Sequence, residues 1–201
     1  MKEIIVLLLL LVLISFVADK PTIIDEERKS AISYFKETQK GVADEIKGLS
    51  EVQLNWKPAD SVWSAADCVE HITLSEKNLF DWFNGIMKEP ADPAKRSELK
   101  FSDDAIKAML INRAYKVKTR EGFIPTGQFG NAAQTLVVFN ERREALIKYI
   151  KETKEDLRNH VTQTPLSMVD AYQLLLFLSA HTRKHTLQIA ELKAHPDFPK
   201  Q

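Results

Sequence analysis

MVDAYQLLLFLSAHTRKHTLQIAELKA, residues 168–194, is a helical stretch whose inner seam changes character halfway along. Steps of three and four residues place Ala171, Leu174, Leu178, His181, His185, Gln188 and Leu192 on one stripe, the spacing of a helix packed in a bundle. Leucine gives way to two imidazoles and an amide in mid-seam. Histidines four residues apart stand on one helical face, about 5 to 6 Å apart, and can reach a common point. Burying them unpartnered costs on the order of 1 to 3 kcal/mol for each unsatisfied polar group, and one metal ion offsets that cost for both. The alternative reading of an H-x-x-x-H pair is two structural histidines hydrogen-bonded to neighbours.

The chain upstream supplies partners for this helix. Ile24, Ile32, Phe35, Val42, Ile46 and Leu49 recur near helical spacing, which predicts helix one over Asp25 to Lys47 with Gly48 as its stop. The connector LNWKPADSVW leads to Ser64, whose hydroxyl can cap helix two, predicted from Ala65 to Met87, while Asp67 favours its positive end. Pro90 and Pro93 end that helix. FSDDAIKAMLINRAY then reads as a short helix capped by Ser102, and TREGFIPTGQFGN as loop. Asn131 can cap helix three, predicted to end near Arg158 with Leu136, Val137, Asn140, Glu144, Ile147, Ile150 and Leu157 toward its inner side. Pro165 and Ser167 introduce helix four, predicted from Met168 to Ala194. No run alternates cleanly at period two, so the expected fold is all-α: an up-down four-helix bundle with an extra short helix between helices two and three.

Composition narrows the function classes. Lys plus Arg equals Asp plus Glu at 28 each, so no bulk field draws in nucleic acid or an anionic membrane. Six glycines and eight prolines in 201 residues argue against a turn-rich β sandwich. Cys68 is the only cysteine and cannot form an internal disulfide. The apolar run from Ile4 to Val17 falls short of the roughly 20 residues that span a bilayer, so residues 1–18 read as a signal peptide and residues 19–201 as the folded domain. The expected location is periplasmic or extracellular. Phe16 stands where a cleavage site prefers a small residue, so an uncleaved N-terminal anchor is the alternative, and it is the only membrane contact expected.

A third ligand has to come from another helix, and His71 lies beside Cys68, Ile72, Ser75 and Leu79 on the apolar side of helix two. His71, His181 and His185 are therefore the expected ligands of one divalent ion. Three neutral imidazoles leave the ion its full charge and an open position. His160 and His195 read as helix-end residues, and Cys68 as a buried core residue ahead of a fourth ligand or reactive thiol. No glutamate follows His181, so the metalloprotease pattern H-E-x-x-H is absent. Asp67 and Gln188 are the nearest candidates for proton transfer, or for orienting a ligand. Trp82, Phe123, Ile124 and Phe129 are candidate pocket residues, each equally readable as core, and Arg143 reads as a solvated cation that can meet an anionic substrate.

WKPADSVWSAADCVEHI (residues 56–72), followed by HTRKHTLQI (residues 181–189), resembles the DinB-like superfamily, whose members are also called YfiT-like metal-dependent hydrolases. The resemblance spans roughly residues 25 to 195. It implies an up-down four-helix bundle with a non-adjacent connection, a nickel or zinc ion on His71, His181 and His185, and frequent dimerisation. It also implies one of several activities on a small-molecule substrate: hydrolysis, thiol-dependent S-transfer, or binding without turnover. Thiol cofactors are chiefly cytoplasmic, so the export leader favours hydrolysis over S-transfer.

Overall fold

The computed structural model describes residues 23–114 and 117–200. The expected leader, residues 1–18, lies outside the described residues. Among those described, no helix is long and apolar enough to cross a membrane.

Four long helices form the bundle: α1 (Asp25–Ile46), α3 (Ala65–Ile86), α5 (Ala132–Glu152) and α6 (Ala171–Lys193). The expected extra helix is α4 (Asp103–Ile111), capped by Ser102, whose Oγ accepts from the Ala105 N–H at 3.2 Å. Ser64 and Asn131 cap α3 and α5 as expected, each side chain accepting a backbone N–H three residues on. Gly48 follows α1 at φ +76°, the left-handed value that ends a helix.

α1 packs against α5 and α6, and α3 packs against the same two helices, so α1 and α3 face each other across a diagonal. Residue pairings fix the sense of each helix. Gln39 meets Asn140 while Arg28 meets the Ile150 carbonyl, making α1 and α5 antiparallel. Tyr172 reaches the Glu27 carbonyl and Lys193 reaches Glu45, making α1 and α6 parallel. Arg142 donates to the Thr73 carbonyl and Phe83 packs on Tyr149, so α3 and α5 are parallel neighbours. The four helices therefore run up, down, down and up. The connection between α3 and α5, which carries α4 along α6, is long enough to return the chain to the same end.

Several boundaries differ from the expectation. A short helix, α2 (Glu51–Asn55), fills the connector after α1, with Ser50 as its cap. Helix three stops at Glu152 rather than near Arg158, because residues 153–160 leave the bundle to seat Arg158 among Glu27, Asp103 and Asp170. Met168–Asp170 is a strand, β2, paired antiparallel with β1 (Val161–Gln163). The last helix accordingly begins at Ala171 rather than Met168, with Asp170 as its cap. The inner face of helix three is also displaced: Thr135, Phe139, Arg143, Leu146, Ile147 and Ile150 are buried, while Val137 is 57% exposed and Glu144 is exposed. Arg143 is thus no solvated cation. It is fully buried, paired with the equally buried Glu76, and donates to Thr38 and Thr182.

Candidate metal centre

α3 and α6 run antiparallel and bring their histidines to one level. Ser64 and Asp67 exchange cap hydrogen bonds of 3.1 and 3.0 Å, fixing the start of α3 two turns before His71. On α6 the seam of leucines fixes the rotation of the helix, so His181 and His185 face α3. The ligand-capable nitrogens of His71, His181 and His185 all lie within 4.8 Å of one another. The rings of His71 and His181 are centred 4.9 Å apart, those of His71 and His185 4.4 Å, and those of His181 and His185 4.6 Å.

Two of the imidazoles are held through Nδ1. His71 Nδ1 lies 2.7 Å from the Phe123 carbonyl, which accepts the Nδ1–H and leaves Nε2 as the lone-pair nitrogen. His185 Nδ1 lies 3.1 Å from Gln188 Oε1, itself bonded by Arg113 Nη1 at 3.0 Å. Orienting partners of this kind are what metal-ligating histidines use. His71 Nε2 and His181 Nε2 are 3.2 Å apart. Two nitrogens on one tetrahedral ion at 2.0 to 2.1 Å are separated by about 3.3 to 3.4 Å, so the pair stands close to a ligating spacing. The Nδ1 of His181 is buried without a hydrogen-bond partner among the described residues. The donor set fits a divalent ion with imidazole affinity.

Electrostatics favour the neutral ligand form. Burial holds His71 down at about 4, partly offset by its bond to Phe123. Burial first, then the mutual repulsion of the cluster, keeps His181 and His185 well below the ordinary histidine value. All three imidazoles are neutral near pH 7, with lone pairs available. Trp63 lies over the group, its ring 4.6 Å from His71 and 5.9 Å from His185.

The remaining sequence candidates separate cleanly. Gln188 touches the cluster as the partner of His185. Asp67 is engaged by the Ser64 N–H and by Lys57 Nζ at 2.6 Å, in the cap of α3. Cys68 is fully buried in the core beside Val69 and Ile72, and burial, then Asp67, pushes its thiol above the usual range. His160 bonds the Ile86 carbonyl, and His195 packs against Trp56 with the two rings tilted at 52°. Trp82 and Phe123 line the cleft beside the cluster, whereas Ile124 and Phe129 do not. Phe129 instead lies under the Arg142 guanidinium.

One positioning residue escaped the sequence reading. Glu70, beside His71, accepts the backbone N–H groups of Thr126, Gly127 and Gln128 at 3.1, 2.8 and 3.1 Å. Gly127 has φ +79°, which lets these N–H groups converge on one carboxylate. Asn78, two turns beyond His71, also donates to the Gly122 carbonyl at 2.6 Å. The T-G-Q turn, residues 126–128, was the available signal, but its acidic partner was far away in sequence.

A family model for the DinB superfamily matches residues 34–189, and the chain belongs to that superfamily. It is 25% identical over 163 residues to the uncharacterized protein YuaE of Bacillus subtilis, covering 81% of this chain and 96% of that one. It shares a fold with YfiT from Bacillus subtilis, a probable metal-dependent hydrolase with an unusual four-helix bundle topology. There the TM-score is 0.57 at 15% identity, covering 86% of this chain and 89% of that one.

Proposed function

We propose, taking membership of the DinB superfamily as the premise, that this protein is an exported metal-dependent hydrolase acting on a small molecule at the tri-histidine site. The observation that carries the reading is the convergence of three neutral imidazoles, with no carboxylate or thiolate among them, on the wall of a cleft. His71, His181 and His185 would hold the ion, with Phe123 and Gln188 orienting two of the rings. When bound, a divalent ion there supplies Lewis acidity toward water or a substrate heteroatom. Nickel or zinc suits the all-imidazole donor set. Trp63 and Phe123 pack their rings against the cluster. Export rests on the apolar segment Ile4 to Val17.

Elemental analysis of untagged protein tests the first step: one equivalent of metal is expected, with loss on replacing both His181 and His185 by alanine. Full metal retention in that variant refutes the site. A second reading, ligand binding without turnover, is favoured by the absence of Asp or Glu among the described residues lining the cleft. Turnover of ester, amide, phosphoester or thiol-conjugation substrates that disappears in His71→Ala decides for catalysis. Edman sequencing of the exported protein tests leader removal.

A further inference from the structure

The cleft beside the histidines has a volume of about 1100 Å³, above the size of most small-ligand sites. Its lining changes polarity along the α3–α6 axis. Toward the C-terminal side of α6 from His181 come Lys184 and Gln188, with Arg113 bonded to Gln188. Toward the N-terminal side lie Phe177 and Leu166, and the antiparallel α3 contributes Leu79 and Trp82 at that end, where the uncharged polar Asn78, Gln163 and Thr164 also line the cleft. The histidines sit at the boundary.

The charge is one-sided as well. The chain carries 28 cationic and 28 acidic residues, yet the charged side chains lining the cleft among the described residues are Arg113, Lys118, Arg120 and Lys184. Glu191 pairs with Arg113 at 2.9 Å, offsetting part of its charge while holding the guanidinium in place, and does not itself line the cleft. Low-dielectric walls concentrate such a field on a bound anion. Along α6 Lys184 stands between His181 and His185, whereas Gln188, bonded by Arg113, lies about 4.5 Å beyond His185, so a carboxylate held toward Arg113 leaves a bond a few atoms back level with the histidines.

We propose that the substrate is an amphipathic N-acyl carboxylate, with an apolar tail along Leu79, Trp82 and Phe177, a short carboxylate head toward Lys184 and Arg113, and the hydrolysable bond between them, as in an N-acyl amino acid. Water is split across the carbonyl–nitrogen bond as that bond breaks: the carbonyl carbon gains the hydroxyl and leaves as the fatty acid, and the nitrogen gains the remaining proton and leaves as the amino acid. The proposal rests on the hydrolase reading for the bond that breaks, whereas the binding preference belongs to the chain's own cations and apolar wall.

The test is a titration of the full folded domain with N-decanoylglycine, its neutral counterpart N-decanoylglycinamide, and the short N-acetylglycine. Tryptophan fluorescence is the signal, since Trp63 and Trp82 line the cleft while Trp56 packs on His195 and Phe198. N-Decanoylglycine is expected to saturate and to bind about tenfold or more tighter than either comparator, weakening as salt is added. Lys184→Gln and, on another element, Arg113→Gln should each reduce the preference for the acid over the amide while circular dichroism stays native. The same preference is expected in metal-free protein, so loss of the metal reading leaves this inference standing. Equal affinity for acid and amide overturns it, as does an acid preference that needs the metal and ignores both cation substitutions.

Discussion

The Phe123 carbonyl stands 2.7 Å from His71 Nδ1, so a loop outside the bundle sets the tautomer of an imidazole inside it. That loop is held in turn by Glu70, through three backbone N–H groups at residues 126–128. Glu70→Ala should release the turn and let the carbonyl drift, weakening metal binding by roughly 10- to 100-fold. Competition with a chromophoric chelator measures this, with helical circular dichroism expected to be unchanged. Wild-type affinity in the variant would show that the loop is not the orienting element.

Gln188 performs the corresponding task for His185, and Arg113 fixes the amide by donating to the same oxygen. Gln188→Leu keeps the volume but removes the acceptor. The expected loss in metal affinity is again roughly 10- to 100-fold, with little change in thermal stability because Gln188 is only half-buried. A large fall in melting temperature instead would assign Gln188 to the fold rather than the site.

His181 and His185 were legible because they stand where the seam of α6 calls for leucine, and His71 because Ile72 and Leu79 mark its face as inward. Local cap signals were equally direct at Ser64, Ser102 and Asn131. Failures occurred where long-range partners decide the outcome. Arg143 lies in the stripe Phe139, Arg143, Leu146, Ile150, yet a charge in isolation reads as solvated; only Glu76 on α3 makes its burial tolerable. The end of α5 and the β1–β2 hairpin follow from where Arg158 docks, which no periodicity encodes. The polarity of the cleft needed the antiparallel register of α3 and α6.

Arg143 and Glu76 are 0% and 1% exposed, so each is the other's main compensation for leaving water. Arg143→Met strands the carboxylate and should destabilise the domain by about 3 to 5 kcal/mol. Glu76→Leu combined with Arg143→Met should recover most of that loss. The hydroxyls left behind keep partners, since Thr38 and Thr182 also donate to the Tyr34 and Leu178 carbonyls. Urea unfolding of the two singles and the double closes the cycle. A double variant no more stable than Arg143→Met would mean that the ion pair specifies the packing of α3 on α5 beyond compensating its own charges.

Arg158 ties α1, α4 and α6 together through Glu27, Asp103 and Asp170, and the two aspartates respond oppositely. Burial raises Asp170 despite the guanidinium. Burial also acts to raise Asp103, but bonds from Arg158 and Gln173 outweigh it and hold that carboxyl below its ordinary 3.8. A carboxyl with a depressed folded value binds its proton less readily than the unfolded chain does. Its contribution is therefore present above about pH 4 and is lost as the pH falls through the folded value. Asp103→Asn should thus be less stable than wild type by a constant margin near neutrality, and that margin should shrink in more acid solution. Paired urea titrations of the two proteins at pH 6, 4 and 2.5 read the difference, because acid effects from the histidines are common to both; the margin includes the rise that the Asp103 charge imposes on Asp170. A margin that stays the same at all three values would assign the role of Asp103 to its hydrogen bonds alone, with no part for its charge.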